Sequence, residues 1–102
     1  LMLAASCAAR AGVTGLVRAR AVELAPHGVT ANAVSPGSTA TPILEETARL
    51  YQLAGGQSFA AQQPMQRLLE PAEVAAVLAF LAGPASSAMT GAVVPVDGGL
   101  AL

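Results

Sequence analysis

The segment that decides the fold reads Asn32-Ala33-Val34-Ser35-Pro36-Gly37-Ser38-Thr39-Ala40-Thr41-Pro42. It predicts a buried strand that ends at Pro36, because proline has no N–H to donate to a strand ladder. Gly37 lets the backbone approach a neighbour closely or take a positive φ. The hydroxyls of Ser38, Thr39 and Thr41 then follow at the place where open α/β sheets bind ligands. An ordinary turn without a ligand is the alternative interpretation.

The chain around this segment predicts the order helix, strand, lid helices, helix, strand. Helical periodicity, glycines and prolines set the expected bounds: a helix at 3–25, a strand at 29–35, lid helices at 42–51 and 58–63, a helix at 70–82 and a strand at 92–96. Because a helical crossover separates the two strands, they are expected to pair in parallel. Two such strands do not make a stable sheet. Residues 1–102 are therefore interpreted as a single partial domain, the C-terminal portion of a doubly wound α/β fold.

Two predicted helices carry apolar faces that need a covering layer. In the first helix the face consists of Ala9, Val13, Leu16, Val17 and Leu24, and in the last helix of Val74, Val77, Leu78 and Leu81. At the start of the lid, Thr41 is a favourable N-cap and Pro42 suits the first helical position. Gly28 is expected to end the first helix, and Gly55-Gly56 to break the lid.

Composition narrows the classes of function. The 102 residues are 54% hydrophobic and only 11% charged, with no lysine and a net charge of -1. This balance excludes the basic footprint of a nucleic-acid-binding domain and gives no polybasic membrane signal. Many apolar residues with few charges indicate a chain that something else covers, either more of the same fold or a partner subunit.

Cysteine content points to a reducing compartment. Cys7 is the single cysteine, so no intrachain disulfide can form, and no metal-ligand spacing occurs. No apolar run approaches the length of a transmembrane helix. We therefore expect a cytoplasmic protein without a metal site.

Several stretches together resemble one family. In the order in which the family has them, they are Ala11-Gly12-Val13-Thr14-Gly15-Leu16-Val17-Arg18, Ala21-Val22-Glu23-Leu24-Ala25-Pro26-His27-Gly28-Val29, Asn32-Ala33-Val34-Ser35-Pro36-Gly37 and Val96-Asp97-Gly98-Gly99. They resemble the C-terminal part of the short-chain dehydrogenase/reductase family over nearly the whole chain. Three further stretches resemble its mycofactocin-dependent branch: Leu50-Tyr51-Gln52-Leu53, Phe59-Ala60 and Arg67-Leu68-Leu69-Glu70-Pro71.

The resemblance implies a Rossmann-like fold and a cofactor, NAD or NADP. Carried over by position, Pro36 and Gly37 would shape the turn beside the nicotinamide. The backbone of Thr39 would meet the carboxamide, and Thr41 would hydrogen-bond the carboxamide or a phosphate oxygen. Free amides and hydroxyls at a helix N-terminus suit such a ligand.

The resemblance also implies a substrate lid and a partner. Residues 42–63 match the lid over a small alcohol or carbonyl substrate, with Leu44, Tyr51 and Phe59 as candidate lid residues. A packing role for Tyr51 and Phe59 is the alternative. In this family the last helix and strand commonly pack against another subunit, which implies a homo-oligomer.

The chain departs from the family at the catalytic positions. The family's Tyr and Lys lie four residues apart, one helical turn, and here these positions hold Ser6 and Arg10. Arg10 keeps a positive charge with a different geometry. A serine hydroxyl does not easily replace a phenol as a general acid. No G-x-G-x-x-G nucleotide loop occurs in the sequence.

Three hypotheses follow. The first is a truncated or degenerate piece of an NAD(P)-dependent oxidoreductase that is inactive alone. The second is a non-catalytic interaction module that pairs with full-length family members through its last helix and strand. The third is an active enzyme that uses an unusual residue such as Tyr51 or Cys7. The sequence identifies neither the substrate nor the choice between NAD and NADP, because the ribose-recognising residue of the family lies outside these 102 residues.

Overall fold

The computed structural model describes residues 3–102 and confirms the predicted element order. The regular elements are α1 (Leu3–Leu24), β1 (Ala33–Pro36), α2 (Pro42–Leu50), α3 (Pro71–Ala82) and β2 (Val93–Val96). Short 3₁₀ segments lie at Ala25–His27, Gly56–Gln62 and Pro84–Ser86. The fold is of the α/β class, and β1 pairs with β2 in a parallel two-stranded sheet.

Strand β1 is shorter than predicted and begins at Ala33 instead of residue 29. The side chain of Asn32 makes hydrogen bonds to the backbone that a longer strand would otherwise pair with. Its Nδ2 donates to the Met89 carbonyl at 2.9 Å, and its Oδ1 accepts from the Ala92 amide at 3.0 Å. Regular pairing starts when the Ala33 amide donates to the Ala92 carbonyl, 2.8 Å away. Because the Asn32 side chain takes these backbone partners, the strand begins later in the sequence than predicted.

Helix ends follow local signals. Gly28 ends the first helical stretch with φ at 73°, a left-handed conformation that glycine adopts without strain. Thr41 caps α2, since its side chain accepts a hydrogen bond from the Leu44 amide. Helix α2 ends at Leu50, one residue before the predicted end at 51, and Gln52, with φ at 59°, terminates it before Gly55 is reached.

The chain divides into two compact units, each considered by itself. The first comprises residues 3–33 and 80–94. In it Ala21 is buried, whereas Val13 and Leu16 are 55% and 60% exposed. The apolar face predicted on α1 is therefore largely exposed within residues 3–102, because this unit supplies too few elements to cover the helix.

The second unit comprises residues 34–79 and 95–102 and holds the region of the predicted site. Its buried apolar residues are Ala48, Leu68 and Leu69. On α3, Val74 and Val77 are half-buried, while Leu78 is exposed, so the predicted stripe is only partly covered. Among the helices of residues 3–102, none combines the length and the apolar character needed to cross a bilayer.

Candidate functional site

At Gly37 the end of β1 lies against the turn that follows β2 at Asp97. The Gly37 amide donates to the Val96 carbonyl at 3.0 Å. A Cβ placed on Gly37 would lie 2.7 Å from Cα of Asp97 and would also collide with the side-chain oxygen of Gln63. Real Cβ atoms do not come so close to a backbone atom, so this position requires glycine. The prediction of a close backbone approach at Gly37 is confirmed.

Thr39 forms a parallel bridge with Leu69. The Leu69 amide donates to the Ser38 carbonyl at 2.9 Å, and the Ala40 amide donates to the Leu69 carbonyl at 2.9 Å. Both hydrogen bonds to Leu69 thus come from the residues on either side of Thr39. In a parallel pairing of this kind, the N–H and C=O of Thr39 itself point away from Leu69. The backbone polar groups of Thr39 therefore face the side opposite Leu69.

The threonine hydroxyls organise the loop itself. Thr39 Oγ1 donates to the Gly37 carbonyl at 3.0 Å. Thr41 Oγ1 donates to the Thr39 carbonyl at 3.3 Å and accepts from the Leu44 amide at 3.2 Å. Both hydroxyl protons are thus used within the loop, and the remaining lone pairs can only accept. A ligand donor fits these oxygens better than a ligand acceptor does.

An open cleft of about 310 Å³ lies between this loop and α3. The loop side consists of Pro36, Thr39 and Thr41, and the helix side consists of Pro71, Val74, Ala75 and Leu78. The walls are almost entirely apolar apart from the two threonine residues. A flat apolar ring with a polar edge suits such walls.

The lid elements pack on each other. The Glu45 carboxylate accepts a hydrogen bond from the Gly56 amide at 3.0 Å, which joins α2 to the segment Gly56–Gln62. Leu44 and Phe59 are half-buried, and Tyr51 is exposed. None of these three residues is among those that line the cleft, so their contact with a substrate stays a prediction.

Gln63 is a site residue that the sequence analysis missed. Its side chain is completely buried. Its Oε1 accepts from the Ser38 amide at 2.5 Å, and its Nε2 donates to the Arg67 carbonyl at 2.7 Å. The sequence holds no signal for this role, since Gln63 follows the equally polar Gln62 at the end of a predicted lid helix.

An ion pair fixes residues 64–69, the connector that leads into α3. Both terminal nitrogens of Arg67 donate to the Glu73 carboxylate, at 2.7 and 2.9 Å, and the Glu70 amide donates to the same group at 2.9 Å. These donors lower the pKa of Glu73 to about 2, with the Arg67 hydrogen bond as the largest cause. The same pairing raises the pKa of Arg67. Glu73 is therefore an anchor for α3 and the connector.

Ser6 and Arg10 lie one turn apart on α1, as the spacing predicts, and both are exposed. The Arg10 carbonyl accepts a long hydrogen bond, 3.5 Å, from the Thr14 hydroxyl. They belong to the first compact unit, whereas Pro36, Gly37, Thr39 and Thr41 fall in the second. Their role in catalysis stays a prediction.

Comparison with known sequences gives a consistent result. The sequence model of a family described as "Enoyl-(Acyl carrier protein) reductase" matches residues 2–101. The cis-4-hydroxycyclohexanecarboxylate dehydrogenase of Sinomonas cyclohexanicum is 44% identical over 92 residues, which are 90% of this chain and 35% of that protein. The 3-oxoacyl-[acyl-carrier-protein] reductase MabA of Mycobacterium bovis is 42% identical over 95 residues, 93% of this chain and 37% of MabA.

Solved structures agree with the sequences. The aldohexose dehydrogenase of Thermoplasma acidophilum matches with a TM-score of 0.81 and 35% identity over 88% of this chain and 38% of its own. YwfH, an NADPH-dependent reductase involved in bacilysin biosynthesis, matches with a TM-score of 0.81 and 30% identity, again over 88% of this chain and 37% of its own. The chain thus spans little more than a third of the length of these relatives.

Proposed function

This chain belongs to the short-chain dehydrogenase/reductase family, and on that premise we propose that it is the C-terminal part of an NAD(P)-dependent oxidoreductase. The reaction proposed for the whole protein is hydride transfer between the nicotinamide of the cofactor and a small alcohol or carbonyl compound. The printed names of its relatives, a hydroxycyclohexanecarboxylate dehydrogenase and a 3-oxoacyl reductase among them, support this class of substrate.

The observation that carries the proposal is the orientation of the Thr39 backbone. Its N–H and C=O face away from the bridge with Leu69. A carboxamide carries one acceptor and one donor, and an amide N–H beside a carbonyl is its natural complement. The chain therefore fits the nicotinamide end of NAD or NADP, with Thr39 as the backbone contact.

The neighbouring residues would shape this end of the site. Pro36 and Gly37 hold the turn close to Asp97, and the Thr41 oxygen offers a lone pair to the donor side of a carboxamide. The apolar wall of α3 would contact one face of the nicotinamide ring. Over the substrate, we assign the lid role to residues 42–63, with Leu44, Tyr51 and Phe59 as its apolar contacts.

We infer that the 102 residues alone are inactive. The family's catalytic Tyr and Lys correspond to Ser6 and Arg10, and a serine hydroxyl lacks the acidity of a phenol. The sequence also contains no G-x-G-x-x-G loop for the pyrophosphate. Residues that hold the rest of the cofactor would have to come from another part of the polypeptide.

The second candidate is a non-catalytic module that pairs with full-length members of the family. Exposed apolar side chains in the first unit, Phe80 on α3 and Val93 on β2, favour it. The homo-oligomer, the cytoplasmic location and membership of the mycofactocin-dependent branch remain proposals. The free, exposed thiol of Cys7 is compatible with a reducing compartment.

Two measurements on the natural gene product, the protein as its own cell makes it, test these proposals. The first is the intact mass, which decides whether the product is this chain of 10.1 kDa or one two to three times larger. The second is titration with NADH and NADPH, followed by turnover with carbonyl substrates. A larger product that binds either cofactor supports the oxidoreductase, and a product that binds neither refutes it. Turnover by the 102-residue chain alone would refute the inference of inactivity.

A further inference from the structure

The Gln63 side chain links the turn after β1 to the connector before α3. It is completely buried, yet both ends of its amide are hydrogen-bonded, to the Ser38 amide and to the Arg67 carbonyl. A buried primary amide with a good partner at each end is held in one orientation. Gln63 therefore imposes a fixed position on the Ser38 amide.

The position of Ser38 determines where the Thr39 amide points. The Ser38 C=O and the Thr39 N–H belong to one planar trans peptide, so the two bonds point in opposite directions. The Leu69 amide holds the Ser38 C=O on one side, at 2.9 Å. Gln63 holds the Ser38 N–H, which belongs to the preceding peptide. Two consecutive peptides are thereby fixed, and the Thr39 N–H is aimed away from Leu69.

We propose that Gln63 is a positioning residue for the nicotinamide carboxamide, acting through the Ser38 and Thr39 backbone. This inference rests on the proposed function, because it presupposes that Thr39 meets the carboxamide. Gln63 itself touches neither cofactor nor substrate in this proposal. The Gln63 side chain also lies against Gly37 and Gly98, in the space that a Cβ would fill at each position. The backbone therefore packs against Gln63 on two sides.

The test compares two ligands that differ at the nicotinamide. NADH carries that ring, whereas ADP-ribose has the adenosine, the pyrophosphate and the second ribose without it. In the natural gene product, the ratio of the two dissociation constants isolates the carboxamide contact from the stability of the protein. If NADPH is the preferred cofactor, it is compared with 2′-phospho-ADP-ribose.

The variant Gln63→Met keeps the length and volume of the side chain and removes both hydrogen bonds. We expect NADH binding to weaken by about tenfold relative to ADP-ribose, the effect of misplacing one hydrogen-bond donor. In Gln63→Glu the buried carboxyl must be protonated to face the Arg67 carbonyl. In acidic buffer it then keeps both hydrogen bonds, and we expect its ratio to stay close to that of the wild type. The matched control is Gln66→Met, because Gln66 is an exposed glutamine outside the lid, and its ratio should not change.

Each outcome has a distinct meaning. A wild-type product that binds neither NADH nor NADPH refutes the proposed function itself. Wild-type binding with an unchanged ratio in Gln63→Met overturns the positioning role alone, because affinity for both ligands would then fall together or not at all. If Gln63→Met does not fold, the same ratio is measured in Gln63→Leu, which also removes both hydrogen bonds, and an unchanged ratio there overturns the positioning role.

Discussion

The Glu45 carboxylate accepts a hydrogen bond from the Gly56 amide at 3.0 Å, across eleven residues of the chain. Gly56 is buried, and a Cβ at this position would come within 3.0 Å of the Glu45 carboxyl carbon. This hydrogen bond is one of the contacts that join α2 to the 3₁₀ segment Gly56–Gln62, and Leu44 also packs near Gly56. Lids that move depend on few such contacts, so each one controls the opening free energy.

Replacing Glu45 with alanine should loosen the lid. Loss of one hydrogen bond to a carboxylate lowers the local opening free energy by about 1 kcal/mol, which corresponds to roughly fivefold faster exchange of the Gly56 amide. The exchange rate of the Gly56 amide, measured in the natural gene product and in the variant, tests this expectation. The matched control is Glu46→Ala, because Glu46 pairs instead with Arg49 on the exposed side of α2. Equal acceleration in both variants would contradict the assignment.

Gly37→Ala should destabilise the protein. The added Cβ would lie 2.7 Å from the backbone of Asp97, which cannot move without shifting β2. Overpacking of this kind costs about 1–3 kcal/mol, measured as the free energy of unfolding in urea. The control is Gly12→Ala, because in residues 3–102 no atom other than the adjoining backbone of its own helix lies within 4 Å of a Cβ there. In the middle of a helix this change should stabilise by about 0.5–1 kcal/mol, so a loss of stability at both positions would contradict the prediction.

Local signals explain what could be predicted from the sequence. Pro36 at the end of a strand, Thr41 before Pro42 at a helix start and Gly28 at a helix end each act within a few residues, and all three are confirmed. The family follows from several such signals in order. Local chemistry also explains the error at β1, where Asn32 competes with the ladder for backbone partners.

Long-range contacts explain what could not be predicted. Gln63 matters because it meets Ser38, 25 residues away, and no pattern in the sequence pairs these two positions. The need for glycine at position 37 was visible, but its partner, Asp97, was not. For α1, periodicity identifies the apolar face but cannot tell which layer covers it, because that layer leaves no mark in the local pattern.

Gln52→Gly should stabilise the end of α2. Gln52 has φ at 59°, and the Gln52 amide donates to the Arg49 carbonyl while the Leu53 amide donates to the Ala48 carbonyl. This is a Schellman end, in which glycine avoids the left-handed strain of a side chain. We expect a gain of about 0.5–1 kcal/mol in urea unfolding. Gln57→Gly, at a residue without a positive φ, should lose stability, and a gain there of similar size would argue against strain relief.

Acid should weaken the anchor between Arg67 and Glu73. The pKa of Glu73 is lowered to about 2 from the usual 4.5, so the folded state binds the proton less readily than the unfolded state. The stabilisation is then complete above pH 4.5 and disappears as the pH falls to about 2. The midpoint of urea unfolding, measured at a series of pH values between 4.5 and 2, follows this loss of stability. The variant Glu73→Gln should be less stable than the wild type at neutral pH, and its stability should change less with pH. The control is Glu23→Gln, which removes a carboxylate from the exposed pair with Arg20 and should leave the change of stability with pH as it is in the wild type.

Expressed alone, the 102-residue chain should self-associate. Phe80 on α3 is 48% exposed and Val93 on β2 is 36% exposed, so the last helix and strand present apolar surface to water. Burying one phenylalanine contributes about 1.5–3 kcal/mol, and Phe80→Arg should therefore weaken association by tenfold or more, measured by light scattering over a range of concentrations. Leu102→Arg, in the exposed tail, serves as the control with the same change in charge. A monomer that unfolds sharply in two states at every concentration would contradict the prediction.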